Sequence, residues 1–263
     1  MKIGRQGDVE HEFTGKSIGG GIILRNEEFI CGKKCFVYEN GSSSNILIQP
    51  IDKHDLENLD EEVEKIGELS DNKNFTLYAI LTCDWNRELS PWKAPAVFGS
   101  EDFKGGAEAT LKYIEQDLLP YIQDKCAGQK VLKCYLGGYS LAGLFALWAA
   151  YRTDVFAGIA AASPSVWFPG WTDFIERQSI KSRFVYMSIG DKEEKTKNPV
   201  MAKVGENIRY TEKVLKESGQ STCCILEYNK GNHFKDCCGR MAKAFAWSLN
   251  YFADLKQHSK IFS

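Results

Sequence analysis

Apolar and polar positions fall into short blocks along the chain, and the period of those blocks changes part-way. Over the first 50 residues the apolar runs GGGIIL, KCFVYE and NILIQPI are separated by turn-rich stretches such as ENGSSS. That pattern predicts strands joined by turns and an antiparallel start to a sheet. From about residue 55 the period lengthens: in DLENLDEEVEKIGEL, Leu56, Leu59, Val63 and Ile66 recur at helical spacing, and the run FTLYAILT follows as a strand. The alternation then continues. GAEATLKYIEQDLLPYIQDK reads as a helix, KVLKCYLGG as a strand, LAGLFALWAAYR as a helix, FAGIAAAS as a strand and WTDFIERQ as a short helix. RFVYMSIG, VGENIRYTEKVLKES, CCILEY and KDCCGRMAKAFAWSLNYFADLK then read as strand, helix, strand and helix. Such alternation predicts an α/β fold with a mainly parallel central sheet and helices on both faces. No repeat, low-complexity tract or proline-rich linker divides it, so residues 1–263 read as one domain.

Composition narrows the function classes. The 33 basic and 35 acidic residues leave a formal net charge of -2, and no basic block with interleaved aromatics tracks a phosphate backbone. Nucleic acid and anionic membrane are therefore not expected partners. No apolar run approaches the roughly 20 residues that span a bilayer, and the polar N-terminus does not look like an export signal. The nine cysteines are an odd number in a chain without such a signal, which favours reduced thiols and a cytoplasmic location. The spacings of Cys31 with Cys35 and of His233 with Cys237 are not those of a structural zinc site, and no metal is expected.

Sheets of this kind place their chemistry at strand ends. At the end of KVLKCYLGG stands GGYSLAG, with Ser140 between a strand and a helix that begins at Leu141. This is the context of a nucleophile elbow, a turn so tight that the residues two before and two after the serine must be small. Gly138 and Ala142 meet that demand, giving G-x-S-x-A where glycine is commoner at the last position, and Gly143 follows. Alone the motif is weak, since composition gives such a match by chance in roughly one chain in five of this length. Its place between strand and helix gives it weight. The elbow would present the serine hydroxyl above the sheet and turn the Leu141 N–H toward an oxyanion.

A serine at its ordinary pKa is a poor nucleophile, so the elbow calls for a histidine base and an acid in the order serine, acid, histidine. His11 and His54 precede Ser140, His258 lies in a polar tail, and only His233, in YNKGNHFKD between the last strand and the last helix, fits. The acid should follow the strand RFVYMSIG, where DKEEKTKNP offers Asp191, Glu193 and Glu194. Asp191 is nearest the strand end, and Glu193 gives two more residues in which to turn toward the histidine. A second oxyanion donor is expected from CDWNRELSPW after YAILT, as the backbone N–H of Trp85 or Asn86, and Trp85, Arg87 and Trp92 are candidates to line the substrate pocket. SPSVWFPGW, from Ser163, brings Trp167 and Trp171 to the same sheet edge, as a substrate wall or as a cap on the core.

Together GGYSLAGLFAL, ASPSVWF, SIGDKEEKT and GNHFKD, the last followed by an arginine and small residues, resemble the esterases of the α/β-hydrolase superfamily that include esterase D and the enterochelin esterases. The resemblance covers roughly residues 75–255. It implies an α/β-hydrolase fold and cleavage of a small-molecule carboxylic ester or thioester through an acyl-enzyme on Ser140, with no metal or organic cofactor. It also implies that the acid lies three residues after the strand-ending Gly190, which is Glu193 rather than Asp191. Only about 20 residues separate FAGIAAAS from RFVYMSIG, too few for a large lid, so a shallow, open site is expected. An acyltransferase using the same residues and a hydrolase-like binding protein without activity are the competing expectations.

Overall fold

The computed structural model describes residues 14–18, 21–71, 73–126, 132–218 and 223–259, with side chains described from 23 to 251 within those ranges. His11 and part of the run GGGIIL lie outside them. The chain opens with β1 (Thr14–Ile18), β2 (Gly21–Ile30) and β3 (Lys33–Asn40), an antiparallel meander as the turn-rich pattern predicts. β4 (Asn45–Ile51) departs from that expectation. It pairs in parallel with β5 (Phe75–Leu81) on one side and with β8 (Lys133–Tyr139) on the other, so NILIQPI is an interior strand of the parallel sheet. The physical reason is its composition, apolar on both faces: Ile46 and Ile48 enter one core and Leu47 and Ile51 the other.

Between β4 and β5 lie α1 (Lys53–Glu57), capped by Asp52 through a reciprocal box with Asp55, and α2 (Leu59–Leu69). After β5 the chain makes a short α3 (Trp85–Glu88) capped by Asp84, then a two-strand ribbon of β6 (Lys93–Ala94) and β7 (Phe103–Lys104). Next come α4 (Ala107–Tyr113) and α5 (Leu119–Lys125), joined by a π-helical turn over Ile114–Leu118. Pro120 accounts for that turn: it has no N–H to donate and its ring crowds the carbonyl four residues back, which a widened turn relieves.

The second half repeats strand and helix: β8 (Lys133–Tyr139), α6 (Leu141–Arg152), β9 (Gly158–Ala162), α7 (Trp171–Arg177), β10 (Phe184–Gly190), α8 (Val204–Glu217), β11 (Cys223–Asn229) and α9 (Cys237–Ser259). The nine-stranded sheet has the order β1-β2-β3-β5-β4-β8-β9-β10-β11, parallel from β5 onward. Helices α2 and α9 cover one face through Leu59, Val63, Ile66, Met241, Phe245 and Leu249, and α4 to α8 cover the other. Both faces thus bury apolar side chains, the arrangement that parallel strands require. Among the described residues no helix is long and apolar enough to cross a membrane.

Candidate active site

Ser140 sits in the turn between β8 and α6 with φ 57° and ψ -118°, a conformation that costs a non-glycine residue on the order of 1–3 kcal/mol. Neighbours hold it there. Its N–H donates to the Ala162 carbonyl at 3.2 Å, and its carbonyl accepts from Ser165 at 2.9 Å and from Leu144 at 3.0 Å. The turn explains the small residues around it: a Cβ on Gly138 would lie 2.5 Å from the Ala142 carbonyl carbon and 2.6 Å from the Ala142 Cβ, so position 138 must be glycine whatever stands at 142. The methyl of Ala142 occupies the room that Gly138 leaves. As the first residue of α6, Leu141 has no acceptor four residues back within the helix, and its N–H is available to a ligand.

His233, between β11 and α9, brings Nε2 to 3.0 Å from Ser140 Oγ and Nδ1 to 2.8 Å from Glu193 Oε2. Glu193 lies in a 3-10 turn directly after β10. Burial alone would raise its carboxyl pKa. Hydrogen bonds from His233, the Gly190 N–H and the Ser163 hydroxyl, with the field of the His233 ring, outweigh that and hold it below the usual carboxylate range. An ionised Glu193 accepts from Nδ1–H, which leaves Nε2 to accept from the serine hydroxyl. Asp191 is used differently. Its Oδ1 accepts the Gly231 N–H at 2.8 Å, tying the loop that carries His233 to the end of β10. Glu194 is turned outward to Arg209.

The other carboxylate oxygen of Glu193 is held by a buried arginine. Arg240, on α9 and 1% exposed, donates Nη1 to Glu193 Oε1 at 2.8 Å, to Ser163 Oγ at 3.0 Å and to Tyr139 Oη at 3.2 Å. Its Nη2 donates to the Asn232 carbonyl at 2.9 Å. Tyr139 Oη in turn donates to the His233 carbonyl at 2.5 Å. Ser163 and Gly190 complete the three donors around Oε1, which fix the carboxylate plane so that Oε2 faces the imidazole. Ser165, buried after β9, places its hydroxyl 3.2 Å from Ser140 Oγ. Sequence reasoning assigned no role to Tyr139, Ser163, Ser165 or Arg240. The arginine after GNHFKD was the one visible sign, because a charge inside an apolar helix stripe demands a buried partner.

A cavity of about 360 Å³ opens beside His233, lined by Trp167, Lys192, Glu193, Lys195, Thr196, Met201, Val204, Asn232, His233 and Phe234. Trp167 is thus on the cavity wall, held by Asn207 Nδ2 donating to the Val166 carbonyl at 2.8 Å and by the edge of Phe98 at 6.0 Å. Trp171 belongs to the core: it is 1% exposed and donates Nε1 to Thr211 Oγ1 at 3.0 Å. Trp92 donates to the Pro169 carbonyl at 2.8 Å, so the loop after β5 reaches across to the segment after β9. Trp85, Arg87 and Trp92 are not among the residues lining this cavity, and Arg87 pairs with Asp84 at 2.8 Å. The N–H groups of Trp85 and Asn86 open α3, again without an acceptor within the helix. Among the described residues no three His, Cys, Asp or Glu side chains gather as a metal site.

A family model described as "Putative esterase" matches residues 66–244. The chain belongs to this esterase family. Its α/β-hydrolase fold and the hydrolysis of esters follow from that membership. The esterase is 26% identical over 168 residues, 61% of this chain and 67% of the other, to the uncharacterized protein YbbA of Bacillus subtilis (strain 168). Among solved structures it is similar to the siderophore hydrolase EstA of Aspergillus nidulans, with a TM-score of 0.61 and 19% identity, covering 85% of this chain and 90% of that one. It is also similar to an S-formylglutathione hydrolase of Agrobacterium tumefaciens, with a TM-score of 0.60 and 12% identity, covering 90% and 97%. At those identities the likeness is one of fold.

Proposed function

We propose that this esterase cleaves small-molecule carboxylic esters or thioesters through an acyl-enzyme on Ser140. The observation that carries the proposal is the unbroken line from Ser140 Oγ to His233 Nε2 at 3.0 Å and from His233 Nδ1 to Glu193 Oε2 at 2.8 Å. His233 removes the serine proton as Oγ attacks the carbonyl carbon, and the tetrahedral oxyanion is received by the N–H of Leu141 with that of Trp85 or Asn86. The imidazolium, stabilised by Glu193, then protonates the leaving oxygen or sulfur. Water enters, gives its proton to His233 and attacks the acyl carbon, and collapse returns the proton to Ser140. Arg240 and Ser163 position the carboxylate without touching substrate.

The nine free thiols support a reducing compartment, and we place the protein in the cytoplasm. The test of the nucleophile is Ser140→Ala, assayed with a fluorophosphonate probe and with an aryl ester. Labelling should vanish and kcat/KM should fall by at least about a thousandfold. Undiminished turnover in that variant would remove Ser140 from the mechanism.

A further inference from the structure

The cavity beside His233 has a charge balance that the net charge of the chain conceals. Three ionisable side chains other than His233 line it: Glu193, Lys192 and Lys195. The charge of Glu193 is met by the buried Arg240. Lys192 and Lys195 are exposed, and their ammonium groups take no hydrogen bond or ion pair among the described residues. The nearest carboxylates in sequence are already engaged, Asp191 with the Gly231 N–H and Glu194 with Arg209. Two uncompensated positive charges therefore face a small concave site, where low-dielectric walls focus the field.

Which half of an ester meets them follows from the chemistry. The group that protonates the leaving atom must lie within hydrogen-bond reach of it, so the leaving group sits against His233. The cavity is built from the chain neighbours of His233 (Asn232, Phe234) and of Glu193 (Lys192, Lys195, Thr196). It is therefore the leaving-group side of the site. Its remaining wall is apolar, from Trp167, Met201, Val204 and the 82% exposed Phe234.

Resting on the acyl-enzyme reading above, we propose that Lys192 and Lys195 form a subsite for an acidic group on the alcohol or thiol half of the substrate, a carboxylate being the simplest case. The ammonium groups, on flexible four-carbon stems, meet the anion while the apolar wall covers the carbon chain between it and the ester.

Three benzoates with one acyl group test this: the glycolate ester (anionic), the ethyl ester (neutral) and the choline ester (cationic). For the wild-type enzyme at low salt, kcat/KM should favour the glycolate ester over the ethyl ester by about threefold to tenfold, the range expected for exposed ion pairs. The preference should shrink at about 0.5 M salt. In Lys192→Gln/Lys195→Gln the ratio should approach one, and in Lys192→Glu/Lys195→Glu it should invert toward the choline ester. Ratios taken within each variant are insensitive to the fraction of protein that folds. A wild-type ratio of one or below, or a preference that survives the double glutamine variant, overturns the subsite. Absence of turnover on all three esters together with an unlabelled Ser140 would instead overturn the acyl-enzyme reading itself.

Discussion

At the scale of single residues, Asp191 and Glu193 illustrate how two carboxylates in one loop acquire different work. Glu193 is buried, its Oε1 taken by three donors and its Oε2 left to His233, whereas Asp191 is exposed and binds a backbone N–H. Glu193→Gln should accordingly lower kcat/KM by about 10³–10⁴, because an amide no longer fixes the imidazole tautomer, while Asp191→Asn should cost less than about tenfold. Steady-state kinetics on one ester compares the two, and a larger loss at Asp191 would reverse their roles. The lowered pKa of Glu193 also has a sign. Its contribution to stability is in place above the ordinary glutamate value of about 4.3 and is lost as pH falls through the lower, native value. Arg240→Lys keeps the charge but loses the planar fork that reaches Glu193, Ser163 and Asn232 together. We expect kcat to fall about tenfold or more with KM little changed, since Arg240 acts through Glu193 and touches no substrate. A change confined to KM would argue against a positioning role. Ser140, His233 and the acidic loop were legible in the sequence because elbow chemistry limits residue type and chain order. Arg240, Ser163 and Tyr139 were not, since their contacts join positions 77 and 101 residues apart that no spacing rule connects.

Among the elements, α2 carries a conflict between pattern and placement. Glu62 stands on its buried face, accepts from Gln49 on β4, and has its pKa raised well above the ordinary value by desolvation and by the nearby Asp55. Glu62 Oε1 and Gln49 Oε1 both lack a donor among the described residues, and a proton retained on Glu62 supplies one. Asp55, in the cap of α1, is likewise pushed up to about 6 by burial. For such groups the native state holds its proton more tightly than the unfolded chain. Stability is fully present below the ordinary carboxylate values and is lost as pH rises through the raised ones. Glu62→Gln should therefore stabilise the protein at pH 8 by about 1–2 kcal/mol relative to its effect at pH 5, read from denaturant unfolding at the two pH values. An equal effect at both would show that Glu62 does not hold the proton. The helices and strands themselves were readable from period and composition. The place of NILIQPI was not, because a run apolar on both faces fits either a sheet start or a parallel interior strand until its neighbours are known.

Taken as one object, the molecule puts its candidate site where four consecutive strand ends meet. β8 supplies Ser140, the segment after β9 supplies Ser163 and Ser165, β10 leads to Glu193 and β11 to His233. The order of these parts along the chain was legible, because parallel strands joined by crossover helices align their C-terminal ends along one edge. How the loop after β5 crosses to the segment after β9 was not, since that contact depends on Trp92 meeting the Pro169 carbonyl. The run from β10 to α8 supplies Lys192, Lys195, Thr196 and Met201 to the cavity wall, and Asn198 fastens it to the Val97 carbonyl at 2.8 Å.

The guanidinium of Arg240 belongs to the last helix, yet it bonds to groups on or after β8, β9, β10 and β11. It is therefore a closing clasp in time as well as in space. A chain made from its N-terminus carries Ser140 a hundred residues before Arg240, so on the mechanism proposed above the groups that orient Glu193 toward His233 are complete only when α9 is in place.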